Sequence, residues 1–223
     1  MKTAIVLGGT GLVGRHLLAA LVATGRYGRI LALVRRVPDD RLAAVEYRPV
    51  ADFARLGEAL AGLDLNGAEA FSTLGTTRRQ AGSKAAFRAV DFGYNHQFAQ
   101  SVRAQGATHF LLLSALGASA QSWVFYNQVK GELEQAVREL GFVRLSIFQP
   151  SLLLGGHEGR RGERLAQQAF EWVQPLLPSQ FAARPIEAQR VAQAMVQVAG
   201  QPDAGPAVRV YSNLDMLNLT GTP

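Results

Sequence analysis

Along the chain, short continuous apolar runs alternate with stretches in which apolar residues recur at every third or fourth position. Residues 2–7 form an apolar run with β-branched members, a glycine-rich turn follows, and residues 12–23 are apolar enough for a helix laid on a sheet. The unit then recurs. Residues 30–34 read as a buried strand, 45–50 as another, 53–61 as a short helix and 68–74 as a fourth strand. Over 83–105, Phe87, Val90, Tyr94, Phe98 and Val102 make one apolar stripe on a helix of about six turns, with Gly106 ending it. The run His109, Phe110, Leu111, Leu112, Leu113 predicts a strand buried on both faces, with Ser114 delivered at its C-terminal end. Residues 126–140 repeat the helical pattern through Val129, Leu133, Val137 and Leu140, and 143–148 form a sixth strand closed by Pro150. Beyond Ser151 the pattern changes. Gly155, Gly156, Gly159 and Gly162 predict a mobile connection, 165–176 and 186–199 read as helices, and 208–211 as a last short strand.

Alternation of strand and helix predicts an α/β fold: a Rossmann-type doubly wound parallel sheet with helices on both faces and a small C-terminal substrate-pocket region. The length of 223 residues fits one domain, with 151–200 contributing a small lid over the pocket. A chain that is 48% hydrophobic and 18% charged is not disordered. With no Cys, disulfides, thiolate nucleophiles and Cys-held metal sites are excluded, and a reducing, cytoplasmic setting is expected. The four His (His16, His96, His109, His157) never stand four apart as a helical ligand pair would, so no metal site is expected. Glycines 8, 9, 11 and 14 interrupt the apolar start, which speaks against a signal peptide, and no apolar run is long enough to span a membrane. The net charge of +6 is spread over dispersed arginines, which predicts a solvated basic surface and no specific nucleic-acid partner.

The chemistry begins at the first turn. Gly8, Thr10, Gly11, Leu12, Val13 and Gly14 lie between the first strand and first helix, where a dinucleotide pyrophosphate needs a tight turn, close backbone approach and free helix amides. The end of the second strand reads Leu33, Val34, Arg35, Arg36, with no acid between Gly28 and Pro38. A carboxylate there would accept a ribose 2′-hydroxyl, whereas Arg35 and Arg36 suit a 2′-phosphate, so NADP(H) is the expected cofactor over NAD. Thr73, Leu74 and Gly75 follow the fourth strand at the edge where such a cofactor lies. Asp52 suits either the adenine amino group or a helix N-cap.

Tyr126 and Lys130 stand four apart on a predicted helix, in a chain with five Tyr and three Lys. Chance supplies such a pair in fewer than about one chain in ten. One turn apart, the ammonium is expected to favour the phenolate and bring its pKa toward neutrality. Such a phenol can exchange a proton with a substrate oxygen while hydride moves between carbon and nicotinamide, and Ser114 can hydrogen-bond that oxygen.

With these residues the chain resembles an atypical or extended short-chain dehydrogenase/reductase. The stretches LGTTRRQAGS from Leu74, FRAVDFGYN from Phe87, HFLLLSALGA from His109, FYNQVKGELE from Phe125 and FQPSLLLG from Phe148 resemble the Tat-interacting-protein branch of NADPH-binding oxidoreductases. The resemblance implies Tyr126 as general acid/base, Lys130 as a second contact to the nicotinamide ribose, Ser114 as the carbonyl-orienting group, and Pro150 and Leu153 in the nicotinamide pocket. It implies reduction of a small carbonyl-like substrate. An NADP(H)-binding sensor with little or no turnover is the alternative, and an epimerase using its cofactor transiently is a third reading. It also implies that a homodimer would form through the helices beginning at Ser83 and Tyr126.

Overall fold

The computed structural model describes residues 2–154, 185–202, 205 and 207–221. Seven parallel strands form one sheet: β1 (Lys2–Leu7), β2 (Tyr27–Val34), β3 (Glu46–Pro49), β4 (Glu69–Ser72), β5 (His109–Leu113), β6 (Arg144–Gln149) and, at the far edge, β9 (Val208–Ser212). Their spatial order is β3-β2-β1-β4-β5-β6-β9. Between β6 and β9 in the chain, Leu153–Leu154 (β7) and Ile186–Glu187 (β8) pair separately. Described helices are α1 (Leu12–Ala23), α2 (Leu56–Leu60), α3 (Arg78–Ala81), α4 (Lys84–Arg88), α5 (Asn95–Ala104), α6 (Phe125–Arg138), α7 (Ala188–Ala199) and α8 (Asn213–Leu219).

The pleat of β1 shows why the sheet needs two covers. Ala4 and Val6 pack with Leu17 and Leu21 of α1 and Val191 and Met195 of α7, while Ile5 and Leu7 pack with Phe98 and Val102 of α5 and Leu133 and Val137 of α6. All are almost fully buried. Helices therefore cover both faces, as the alternating pattern predicts, and the fold is Rossmann-like. The order reverses between β1 and β4, which opens a crevice beyond the C-terminal ends of these two strands.

Several expected elements keep their place with shorter ends. Two differ in kind. The segment expected as one regular helix over 83–105 is α4, a π-helical turn (Ala89–Tyr94) and α5. The wider turn adds a residue and rotates the rest of the helix, so Asn95 becomes buried while Tyr94 is only partly so; Asp91, four residues after Phe87, is buried on the same face. In addition, α3 and α8 each begin with a capping box, Thr77 with Gln80 and Ser212 with Asp215, that the apolar pattern does not register. The expected glycine-rich connection and the helix over 165–176 lie outside the described residues, as does most of the expected lid.

Candidate functional site: the C-terminal edge of the sheet

Five strand ends converge on the crevice, and each carries residues expected there. After β1, Gly8 adopts φ +85°, a left-handed conformation that glycine takes without cost. A Cβ on it would lie 2.5 Å from the Leu74 backbone nitrogen, and one on Gly14 would lie 2.1 Å from the Gly8 carbonyl oxygen. The turn is thus pressed between helix and neighbouring strand end, and the Gly11 N–H donates to the Gly8 carbonyl at 2.9 Å to close it. Helix α1 has no side-chain cap and no acid in its first turn. Its first amides, beginning at Leu12 and Val13, remain for an anionic group. This cradle fits a dinucleotide pyrophosphate.

Arg35 and Arg36 are exposed at the end of β2. Arg15, on the first turn of α1, joins this margin: its Nε donates to the Thr10 carbonyl at 3.2 Å and its Nη1 lies 3.1 Å from Asp40 Oδ2. Sequence reading missed Arg15 because it follows the glycine motif as an ordinary exposed helix position. Asp52 accepts from the Ala54 N–H at 2.9 Å, the N-cap geometry of the two expected alternatives.

At the end of β4, Thr73 is anchored to β1, its N–H donating to the Leu7 carbonyl at 2.9 Å. Leu74 and Gly75 then pass close to Lys130 of helix α6. A Cβ at Gly75 would come within 3.3 Å of Asp91 Oδ1 and 3.6 Å of Lys130 Nζ.

Helix α6 presents Tyr126, Lys130, Glu134 and Arg138 at four-residue intervals, one polar stripe beside the apolar stripe of Val129, Leu133 and Val137. Gly131 lets the loop after β5 sit directly on it, since a Cβ there would be 2.1 Å from the Ser119 carbonyl carbon. Ser114 is thereby held near the stripe. Its hydroxyl donates to Glu134 Oε1 at 2.5 Å, and the same carboxylate accepts from Gln149 Nε2 at 2.8 Å and from Arg138 Nη2 at 3.2 Å. Pro150 follows Gln149 and is buried, with the Leu116 N–H donating to its carbonyl at 2.9 Å. Leu153 is partly buried in β7.

Lys130 departs from expectation. Its ammonium pairs with Asp91 Oδ1 at 2.7 Å, and both side chains are almost completely buried. The other carboxylate oxygen accepts from the Thr76 N–H at 2.9 Å. Asn95 braces the π-helical turn, its amide donating to the carbonyls of Val90 and Asp91 at 3.0 and 3.2 Å while it accepts from Ser72 Oγ. Desolvation of its charged form opposes protonation of Lys130, yet the carboxylate of Asp91, with the Tyr126 phenol, holds its pKa above the usual lysine value. Tyr126 packs against Phe87, ring centroids 5.7 Å apart. Its phenol is pushed up from its ordinary value, chiefly by burial, with Lys130 pulling down and Asp91 pushing up. The expectation that Lys130 brings this phenol toward neutrality is therefore corrected: the lysine's charge is already engaged by a carboxylate.

Gly8, Leu74, Gly75, Asp91, Lys130 and Tyr126 thus form one connected series of contacts, and Glu134 carries it on to Ser114 and Gln149. Asp91 and Glu134 were missed in sequence because an acidic side chain beside an apolar stripe reads as a solvated flank until its buried partner is seen. The near-repeat Lys130, Glu134 was the available signal.

No protein-family model matches the chain. Curated relatives do. Protein FMP52-1, mitochondrial, of Scheffersomyces stipitis is 32% identical over 225 residues, spanning 97% of this chain and 98% of the relative. Protein HTATIP2 of Rattus norvegicus is 35% identical over 224 residues, spanning 98% and 89%. Among solved structures, MoeE5 in complex with UDP-glucose and NAD superposes with a TM-score of 0.66 at 14% identity, covering 98% of this chain and 81% of that one. Human epimerase family protein SDR39U1 with NADPH gives 0.64 at 15%, covering 95% and 74%. At these identities the structures speak for the fold alone, a Rossmann-like one. The expectation of a cytoplasmic setting is overturned, since FMP52 relatives from several yeasts carry a mitochondrial designation. The sequence relatives, matched over nearly their whole length, settle the lineage: the chain belongs to the family of the HTATIP2 and FMP52 proteins.

Proposed function

We propose that the protein is an NADPH-dependent reductase of a small carbonyl-like compound, with Tyr126 giving the proton. The observation that carries this reading is the meeting of a capless glycine cradle at α1 with a buried Lys130–Asp91 pair beside a phenol, at opposite ends of one crevice. When bound, a reduced nicotinamide supplies a hydride to the carbonyl carbon.

The chain's own residues do the rest. Leu12, Val13 and Gly14 amides receive the pyrophosphate, and Gly8 and Gly11 let it approach. Arg35 and Arg36, with Arg15 beside them, offer guanidinium groups to a 2′-phosphate, which favours NADPH over NADH. Thr73, Leu74 and Gly75 line the middle of the crevice, Pro150 and Leu153 the nicotinamide end. Tyr126 transfers its hydroxyl proton to the carbonyl oxygen as that oxygen gains charge, and the resulting phenolate is reprotonated from solvent, so an alcohol forms and two electrons leave the cofactor. With its hydrogen held by Glu134, the Ser114 hydroxyl can only accept, which suits it to orient the new alcohol and not the carbonyl as the resemblance implied.

A titration with NADPH and NADH, followed by nicotinamide fluorescence and then by its decay on adding aldehydes and quinones, tests the reading. Selective NADPH binding with decay on at least one compound is expected. Binding without decay on any of them would replace the reductase with a dinucleotide sensor, and no binding would overturn the cofactor assignment.

A further inference from the structure

The turn that follows β6 is held from three sides. In the loop after β5, the Leu116 N–H donates to the Pro150 carbonyl at 2.9 Å, and the Ile186 N–H of β8 donates to the Leu152 carbonyl at 2.9 Å. The third hold comes from the end of the chain. Asn213, the first residue of α8, turns its Oδ1 to Ser151 and accepts from both the Ser151 N–H and the Ser151 Oγ, each at 3.1 Å. Pro150 and Leu153, assigned above to the nicotinamide end of the crevice, stand on either side of these bonds.

The helix that Asn213 begins does not explain it. Asparagine is a poor helix former, and the capping box of Ser212 and Asp215 already serves the start of α8. Nor does the sheet require it. Strands β6 and β9 pair in register from Leu145 with Val208 to Gln149 with Ser212, and Asn213 is the first residue beyond the last pair. Its side chain is nevertheless only 3% exposed, in a place where an apolar group would serve if packing were all that mattered. What the amide adds is an acceptor for a main-chain N–H at the point where the ladder stops supplying one.

Resting on the reading of the crevice as an NADPH site, we propose that Asn213 is a positioning residue for the nicotinamide end: by clamping Ser151 it fixes the turn that presents Pro150 and Leu153. The phosphate end is built from other parts of the chain. Its glycine turn is closed by the Gly11 N–H on the Gly8 carbonyl and is seated on the Leu74 backbone. Releasing Ser151 therefore loosens the grip on the nicotinamide ring and leaves the grip on the adenosine and its phosphates as it was.

The experiment needs no substrate. Dissociation constants are measured by calorimetry for NADPH and for 2′-phospho-ADP-ribose, which keeps the adenosine, the phosphates and both riboses but lacks the nicotinamide ring. The native protein is expected to hold NADPH the more tightly. Asn213→Ala is expected to weaken NADPH by at least about fivefold and the ring-less compound by less than about twofold. A folded Asn213→Ala in which both constants rise together reports a general loosening and overturns the proposal, as does one in which neither moves. Should Asn213→Ala fail to fold by circular dichroism, Ser151→Ala, which removes the Oγ bond alone, is read by the same ratio, and an unmoved ratio overturns the proposal. Native protein that binds the ring-less compound as tightly as NADPH also overturns it while leaving the phosphate cradle in place. Binding of neither compound instead overturns the cofactor reading itself, and the proposal falls with it.

Discussion

Tyr126 lies where α6 begins, against Phe87 and one turn from a lysine whose charge is spent on Asp91. If its hydroxyl is the proton source, Tyr126→Phe keeps the ring contact and removes only the proton. Turnover is expected to fall by about 100-fold or more, with NADPH affinity changed less than about threefold. A variant of undiminished rate would remove Tyr126 from the chemistry. Arg35 makes the second prediction at this scale. Arg35→Asp puts a carboxylate where the proposed 2′-phosphate would lie, so NADPH should weaken by at least about tenfold while NADH does not, read as the ratio of the two dissociation constants. Much of this site was legible as residues before any coordinates. Gly8, Gly14, Arg35, Ser114, Tyr126 and Lys130 all stand at the C-terminal edge of the sheet, because motif spacing and strand ends are both local properties of the chain. Lys130's partner was not legible, since it is chosen by an inter-helix contact 39 residues away in sequence.

At the scale of elements, strands β1, β5 and β6 were readable because central parallel strands are buried on both faces and so become continuous apolar runs. The segment 83–105 was only half readable. Its stripe of Phe87, Phe98 and Val102 is buried as a helix requires, but the π-helical turn breaks the period between them, so Asn95 is buried where Tyr94 was expected. Hydrophobic periodicity has no term for one inserted residue. The close seat of the Ser114 loop on α6 makes a test at this scale. Gly131→Ala places a methyl carbon 2.1 Å from backbone that cannot yield like a flexible side chain, so the loop over 115–120 must move. We expect a loss of about 1–3 kcal/mol in chemical unfolding, together with loss of turnover if Ser114 orients substrate. Gly25→Ala, at an open position where only φ is strained, should cost less and leave turnover intact.

For the molecule as a whole, the +6 charge is spread over arginines of which several are already paired: Arg29 with Glu46, Arg55 with Glu58, Arg88 with Glu132 and Arg138 with Glu134. Duplex DNA should accordingly bind weakly and be released by moderate salt. Tight, salt-resistant, sequence-selective binding in a mobility-shift assay would contradict the small-molecule reading. The two halves of the sheet, β1 to β3 and β4 onward, are joined at their working edge by more than strand pairing. Because Gly8 has no side chain, its turn touches the backbone of Leu74, and from Leu74 the chain runs through Gly75 to the Thr76 amide on Asp91. The glycine turn after β1 and the segment from Leu74 to Thr76 are therefore in direct contact, and a change at one is passed to the other. A molecule that fills only the pyrophosphate cradle, such as inorganic pyrophosphate, is expected to slow hydrogen exchange at Thr73 and Thr76 although it reaches neither Lys130 nor Tyr126.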